Sequence, residues 1–172
     1  VMAKASTLFE VLSKDKVDPD EMMLHMNNDL FATKTSGMFV TAILGEYNSV
    51  TEEVSWVNAG HQPALIRDAK GNFKEIKSDV PPLGVILQKS KSVYKIKKEK
   101  LNDSRFFTFT DGLSESLNEK KEEIGIEGSK AIINNNYNKE LKSQLLNITK
   151  DVIKASGTDK LSDDLTVLAI GK

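Results

Sequence analysis

Cysteine is absent from this 172-residue chain, and histidine occurs at only two positions, His25 and His61. The absence of cysteine excludes disulfides, thiolate metal sites and a cysteine nucleophile. A zinc site built from three histidines is excluded as well, because the chain has too few of them. Metal chemistry in this chain would therefore depend on carboxylate oxygens.

An excess of charge of one sign is also missing, since 24 Lys and Arg residues face 25 Asp and Glu residues and the net charge is −1. Binding to a nucleic-acid backbone usually needs a basic excess, so no nucleic-acid partner is predicted. No apolar run approaches the ~20 residues that cross a bilayer, and no signal segment opens the chain. The sequence predicts no membrane span and a cytoplasmic location.

What is present is the composition of a globular protein, with 39% hydrophobic and 28% charged residues. The length fits one domain at the usual ~100–200 residues per domain, so a single domain over residues 1–172 is predicted. Apolar residues at helical spacing predict a first helix, and its stripe is formed by Ala5, Leu8, Phe9 and Leu12. A second helix is predicted to begin with Asp18 and Glu21 as a capping box, and a third to cover residues 138–156.

Strand patterns fill much of the remainder. The predicted strands are residues 38–47, 50–58, 64–67, 73–77, 93–100, 105–110 and 165–170, and the last of them is nearly all apolar and hence predicted to be buried. Short turns join most neighbours, so the predicted fold class is α+β with antiparallel sheet. The lysine-rich residues 95–100 either attract an acidic partner or protect an edge strand from aggregation, and we favour the second interpretation.

Carboxylates stand at the ends of two predicted strands. Asp111 and Gly112 follow residues 105–110 directly, and Asp163 and Asp164 precede the final strand. Adjacent anions repel each other unless a cation neutralises them, and Mg²⁺ or Mn²⁺ does so with oxygen ligands. The structural alternatives are an ordinary Asp-Gly turn and a solvated acidic loop. If both strands end at the same edge of one sheet, the sequence predicts a metal site there.

The segment Asn58–Pro63 lies at another predicted strand end. His61 in this segment either contacts a substrate or only hydrogen-bonds the loop, and the structural interpretation is slightly favoured. His25 lies on the second amphipathic helix, and we expect it at the surface.

Several blocks of this sequence, in this order, resemble those of one enzyme family. They are Gly37–Ala42, Asn58–Pro63, Pro82–Val85, Phe109–Glu115 and Asp163–Thr166, which read GMFVTA, NAGHQP, PLGV, FTDGLSE and DDLT. With them the chain resembles the PPM-type metal-dependent protein serine/threonine phosphatases, and most closely their bacterial sporulation stage II protein E (SpoIIE) branch, from about Ala3 to Ile170. Each block alone is weak evidence, whereas all of them in the same order are strong evidence.

The resemblance implies an antiparallel β-sandwich flanked by helices, in an α-β-β-α order of layers. It also implies a pair of Mn²⁺ or Mg²⁺ ions whose bridging water attacks the phosphorus of a phosphoserine or phosphothreonine, so no side-chain nucleophile is required. By the same resemblance Asp111 and Asp163 would be metal ligands. Asp164 would be a further metal ligand, although its position is Asn in many relatives. Glu115 would either support the ligands without contacting the two ions or bind a weakly held third ion. Gly112, Asn58 and His61 are the candidates for contacting the substrate or ordering its loops.

The sequence departs from the family pattern at its beginning. Family members carry, ahead of their first long helix, a strand ending in Gly-Asp-x-x-Gly whose Asp bridges both metals, and this motif is absent here. Val1 also opens a helical pattern with no capping residue before it. We expect a chain recorded without its N-terminal strands, with a degenerate relative as the alternative. Such a fragment should bind metal poorly.

The function implied by the resemblance is dephosphorylation of a bacterial regulatory protein of the anti-sigma-factor antagonist type. A sensory or receiver domain would lie upstream of Val1. The alternative is a pseudophosphatase that binds a phosphoprotein without catalysis. An apolar stripe at the start of the chain predicts a homodimer that depends on the first two helices.

Overall fold

The computed structural model describes residues 1–33, 37–138, 140–157 and 163–171. The helices are α1 (Met2–Lys14), α2 (Pro19–Ala32), α3 (Asp111–Ser114), α4 (Gly125–Asn135) and α5 (Leu141–Ala155), with a 3₁₀ turn at Lys91–Val93. The strands are β1 (Ala42–Asn48), β2 (Glu53–Ala59), β3 (Ala64–Arg67), β4 (Phe73–Ile76), β5 (Lys97–Lys100), β6 (Arg105–Phe109) and β7 (Val167–Ile170). All strand pairs within the sheets are antiparallel, so the predicted α+β class is confirmed. Among the described residues, no helix has both the length and the apolar character of a membrane span.

The residues form two compact units, and the first contains Val1–His61 and Lys77–Lys100. Its sheet has the order β1-β2-β5. Strands β1 and β2 form an antiparallel hairpin, from the pair Ala42–Ala59 to the pair Asn48–Glu53. The lysine-rich strand β5 lies at an edge of this sheet, as the favoured interpretation predicted.

The prediction that β1 begins at Met38 is wrong. Met38 and Phe39 are exposed, and β1 begins at Ala42. Val40 pairs with Leu83 instead, through backbone N–H···O bonds of 3.0 and 2.8 Å in the two directions. The backbone groups of Val40 are therefore satisfied by the proline-containing loop and not by the neighbouring strand.

The buried face of α2 forms much of the core of the first unit. Met22, Met26 and Leu30 are buried at a spacing of four residues, and Met23 joins them. In α1 the stripe is only partly buried, since Ala5 lies in the core while Phe9 is 46% exposed.

The start of α2 differs from the prediction in one respect. Pro19 is the first helical residue, but the Asp18 side chain makes no capping hydrogen bond, so the predicted capping box is wrong. Glu21 instead accepts a 3.3 Å hydrogen bond from the Lys91 Nζ atom. His25 is exposed, as predicted.

The second unit contains Gln62–Ile76 and Leu101–Lys172, and its sheet has the order β4-β3-β6-β7. Phe107 and Phe109 share one face of β6 and pack in the same cluster as Ile133 of α4 and Ile148 of α5. Strand β7 is shorter than predicted and lies at the sheet edge with Leu168 47% exposed, so its predicted full burial is wrong. An edge strand has one unpaired side, which leaves room for this exposure.

A stack of two arginines and one tyrosine lies where β3 ends and β6 begins. Arg67 stands opposite Arg105 in the strand register. The ring centroid of Tyr137 is 3.9 Å from Arg67 Cζ and 4.9 Å from Arg105 Cζ. Arg105 also donates a 2.6 Å hydrogen bond to Gln144 Oε1. Burial lowers the pKa of the Arg105 guanidinium, and the charge of Arg67 lowers that pKa further.

Candidate metal site at the ends of β6 and β7

The last residue of β6 and the first residue of β7 face each other across the second sheet. Phe109 pairs with Val167, and the two strands run antiparallel. Asp111 therefore leaves the sheet at the same end at which the chain enters from Asp163 and Asp164. The structure thus brings together the two carboxylate segments that the sequence singled out, because one strand ends where the other begins.

Hydrogen bonds from Thr110 join these segments beyond the strand ladder. The Thr110 hydroxyl donates to the backbone oxygen of Asp164 at 2.9 Å and accepts from the Thr166 N–H at 3.0 Å. The Thr110 N–H donates to the Thr166 backbone oxygen, also at 3.0 Å. Thr110, directly before Asp111, is therefore bound to the chain from Asp164 to Thr166 through both its hydroxyl and its backbone N–H.

Gly112 allows the second segment to approach α3 closely. A Cβ atom on Gly112 would lie 2.5 Å from the Asp164 backbone oxygen and 2.8 Å from its carbonyl carbon. Both distances are shorter than any ordinary contact, and the atoms concerned belong to the backbone. Only glycine fits at this position without displacing the Asp163–Asp164 segment.

The carboxylates at this end of the sheet have no cationic partner among the residues described. Asp111, Asp163 and Asp164 are exposed. Asp111 Oδ1 accepts a 3.0 Å hydrogen bond from the Gly112 N–H, and Asp163 Oδ1 accepts one of 2.7 Å from the Asp164 N–H. No lysine or arginine in the described ranges forms a salt bridge with them.

The chemical type of these donors suits a hard cation, since they are carboxylate oxygens without a cationic partner and they lie beside Gly112. The set is incomplete in number, because no group of three or more His, Asp or Glu side chains within the described ranges is placed to hold a metal ion. Glu115 is exposed and donates its backbone N–H to the Asp111 backbone oxygen at 2.7 Å. This backbone bond sets Glu115 one helical turn beyond Asp111.

The remaining candidates, Asn58 and His61, belong to the first unit and form an ordered turn there. The Asn58 side-chain oxygen accepts a 2.9 Å hydrogen bond from the His61 N–H. His61 Nδ1 lies 3.4 Å from the Thr41 hydroxyl oxygen. Ser78 fixes the same turn, because its hydroxyl donates to the Asn58 backbone oxygen at 2.9 Å and accepts from the Gly60 N–H at 2.7 Å. These contacts agree with a loop-ordering role for Asn58 and His61.

Sequence reasoning missed Thr110 and Thr166, whose hydrogen bonds depend on the register of β6 against β7. A threonine directly before Asp-Gly carries no signal of its own, since its partner lies 54 residues away. A prediction of the strand register, with Phe109 opposite Val167, would have placed Thr110 beside Thr166.

Comparisons with known proteins agree with this fold. A family model described as "Stage II sporulation protein E (SpoIIE)" matches residues 1–172. Protein IcfG of Synechocystis sp. is 25% identical over 151 residues, which cover 86% of this chain and 23% of IcfG.

Solved structures are similar over almost the whole chain. One is the PP2C phosphatase domain with a fragment of the regulatory domain of SpoIIE from Bacillus subtilis, with a TM-score of 0.79, 17% identity and coverage of 97% of this chain and 48% of that one. Another contains the RsbU and RsbW domains of Rv1364c from Mycobacterium tuberculosis, with a TM-score of 0.74, 17% identity and coverage of 98% and 46%. The chain thus spans about a quarter of IcfG and about half of these solved chains. Since the family model matches from the first residue to the last and the fold is that of PP2C phosphatase domains, the chain belongs to the Stage II sporulation protein E (SpoIIE) family.

Proposed function

We propose that this chain acts as a metal-dependent protein serine/threonine phosphatase domain in which Asp111 and Asp163 bind Mn²⁺ or Mg²⁺. The observation that carries the proposal is the hydrogen-bonded contact between the two carboxylate segments, made by Thr110 and by the close approach of Gly112 to Asp164. Like charges brought together without a cationic partner favour the binding of a cation.

The proposed roles of the residues follow from their chemistry. Asp111 and Asp163 supply hard, anionic oxygen ligands. Asp164 adds a further carboxylate, and Glu115 lies one helical turn beyond Asp111, where it would orient a ligand or hold a weakly bound third ion. When bound, a pair of such ions lowers the pKa of water and stabilises negative charge on the phosphoryl oxygens. The protein side chains bind and orient, and none of them acts as a nucleophile.

The choice of ion is supported by a solved relative. The crystal structure of RsbX in complex with magnesium is similar in fold to this chain, with a TM-score of 0.64 and 15% identity. Hard divalent cations with oxygen ligands agree with the carboxylates found here and with the absence of cysteine.

The proposed substrate is a phosphoserine or phosphothreonine on a bacterial regulatory protein of the anti-sigma-factor antagonist type. The support is membership of the SpoIIE family together with the similarity to a chain that carries RsbU and RsbW domains. In this proposal the protein works in the cytoplasm, an upstream sensory or receiver domain controls it, and the first two helices contribute to a homodimer.

A second candidate function is phosphoprotein binding without catalysis. It is favoured by the incomplete ligand set among the described residues and by the absence of a Gly-Asp-x-x-Gly motif from the 172 residues. Without a further carboxylate, the proposed ions would have too few anionic ligands for tight binding.

Hydrolysis of a phosphoserine protein, measured with the 172-residue chain and with the full-length encoded protein, tests both candidates. The phosphatase proposal predicts phosphate release that requires Mn²⁺ or Mg²⁺ and stops with a chelator. Asp111→Asn should remove most of this activity, whereas the control Asp103→Asn changes an exposed carboxylate in a turn of the same unit and should keep it. Activity that survives chelation contradicts the metal mechanism, and binding of the phosphoprotein without turnover in both proteins supports the second candidate.

A further inference from the structure

We propose that Thr110 is a positioning residue that sets the spacing between Asp111 and the Asp163–Asp164 segment, and thereby the affinity of the site for its metal. The inference rests on the proposed function, since it presumes that these carboxylates bind a divalent cation. It concerns a hydroxyl group that touches neither metal nor substrate and acts only through the backbone on which the ligands stand.

The hydroxyl of Thr110 uses both its donor and its acceptor capacity on the opposite segment. It donates to the Asp164 backbone oxygen at 2.9 Å and accepts from the Thr166 N–H at 3.0 Å. These two groups flank Leu165, so one side chain holds the opposite segment at Asp164 and at Thr166. Both distances are those of well-formed hydrogen bonds.

We call these two hydrogen bonds of the Thr110 hydroxyl the Thr110 clamp. The position of Thr110 explains what the clamp does. The register of β6 against β7 ends at the pair Phe109–Val167. Asp111 stands two residues beyond that pair on one strand, and Asp164 three residues before it on the other. Without a bound cation the carboxylates repel each other, and this repulsion acts to separate the two segments. The Thr110 hydrogen bonds oppose that separation at the last residue before Asp111.

Metal affinity depends on this spacing because a cation needs its ligands at fixed distances. If the segments separate in the metal-free protein, part of the binding free energy is used to bring them back together. Groups that hold metal ligands in place without contacting the metal typically change metal affinity by ~10–100-fold when they are removed. Loss of the Thr110 hydroxyl should therefore weaken metal binding by at least about tenfold.

Thr108 of β6 provides a matched control. It lies two residues before Thr110, and Thr110 continues the extended backbone directly after β6, so both side chains point to the same side of the chain. Its hydroxyl is buried and has no hydrogen-bond partner among the described residues. Thr108→Val therefore makes the same chemical change as Thr110→Val without removing a hydrogen bond between the segments.

The experiment measures Mn²⁺ binding to the full-length encoded protein by electron paramagnetic resonance, at fixed pH and salt. Thr110→Val should raise the Mn²⁺ dissociation constant by at least about tenfold. Thr110→Ser, which keeps the hydroxyl, and Thr108→Val should both stay close to wild type. Wild-type affinity in Thr110→Val overturns the clamp, and so does an equal loss in Thr108→Val, because that loss would reflect a general disturbance of β6.

The failure of this inference is distinguishable from the failure of the proposed function. If wild type binds no Mn²⁺, or if Asp111→Asn binds as wild type does, the proposed metal site is wrong and the clamp with it. If Asp111→Asn abolishes Mn²⁺ binding while Thr110→Val leaves it unchanged, the proposed metal site is supported and only the proposed role of Thr110 is wrong.

A measurement on the unmutated protein covers the case in which Thr110→Val does not fold. Hydrogen exchange of ¹⁵N-threonine-labelled, metal-free protein should show the Thr166 amide protected, since its acceptor is the Thr110 hydroxyl. The intrinsic exchange rate of an unprotected threonine amide at the same pH and temperature serves as the reference. Exchange of the Thr166 amide as fast as that reference contradicts the clamp.

Discussion

Gly112 and Asp164 approach each other so closely that a Cβ atom on Gly112 would stand 2.5 Å from the Asp164 backbone oxygen. Gly112 does not have a positive φ, so its backbone conformation suits any residue. The need for glycine at this position is therefore one of space. The approach joins the start of α3 to the segment that carries Asp163.

Gly112→Ala should consequently displace the Asp163–Asp164 segment and weaken Mn²⁺ binding, because the backbone atoms it would strike have to move. The measurement is the Mn²⁺ dissociation constant beside the melting temperature of the metal-free protein. Gly128→Ala is the comparison, since its Cβ would meet a side-chain atom, Ile124 Cγ2, at 2.7 Å and no backbone atom. It lies in the same unit outside the candidate site, so its Mn²⁺ affinity should stay at the wild-type value, whatever the Ile124 contact and the higher helix propensity of alanine do to the melting temperature. Wild-type Mn²⁺ affinity in Gly112→Ala would show that the close approach has no bearing on the site.

Asp163→Asn should remove metal-dependent activity without loss of stability. Asparagine keeps the size of the side chain but loses the charge, so a cation loses an anionic ligand. A decrease of at least about a hundredfold in turnover is expected. In the absence of metal the variant should melt at or slightly above the wild-type temperature, because repulsion between neighbouring carboxylates is relieved. A melting temperature well below that of metal-free wild type would indicate a structural role for Asp163 instead.

His61→Ala should have a much milder effect on turnover than the Asp163 substitution. The His61 backbone N–H bonds the Asn58 side chain, and its ring lies 3.4 Å from the Thr41 hydroxyl, so the residue orders a loop of the first unit. We expect turnover within about tenfold of wild type at saturating metal, since no step of general acid–base catalysis is assigned to this ring. A loss as large as that in Asp163→Asn would place His61 in the reaction itself.

Tyr137→Leu should destabilise the second unit. The Tyr137 ring contacts the guanidinium groups of Arg67 and Arg105, which repel each other across adjacent strands. Partly desolvated cation–π contacts contribute ~1–2 kcal/mol, so a decrease of that size in the free energy of unfolding is expected from denaturant titration. Tyr137→Phe keeps the ring and should remain near wild type. Equal losses in both variants would assign the effect to the tyrosine hydroxyl.

The strands that carry the candidate ligands were predictable from local pattern. Phe107 and Phe109 alternate with polar positions, and an apolar run follows Asp163 and Asp164, so the sequence predicts both strands, with the end of β6 and the start of β7 placed within two residues of those observed. The clamp was not predictable, because the partner of the Thr110 hydroxyl is decided by the strand register and not by its neighbours in sequence.

Helix α4 was missed for a related reason. Its sequence contains Gly125 and Gly128 and ends in asparagines, which have low helix propensity. Tertiary contacts stabilise it instead, since Ile133 is fully buried and Lys130 forms a 2.6 Å ion pair with Glu75 of β4. The capping box at α2 failed in the same way, because the Glu21 side chain bonds Lys91, a residue 70 positions away.

If Asp111 and Asp163 hold the same metal site, a double-mutant cycle of Mn²⁺ binding should show strong coupling between the two carboxylates. Dissociation constants are measured for wild type, Asp111→Asn, Asp163→Asn and the double variant of the full-length encoded protein. If the two carboxylates share a site, either single substitution should remove most of the affinity and the double variant should lose little more. A shared site would be contradicted if the losses of Mn²⁺ affinity in the two single variants multiply in the double variant. It would also be contradicted if either single variant binds Mn²⁺ as tightly as wild type.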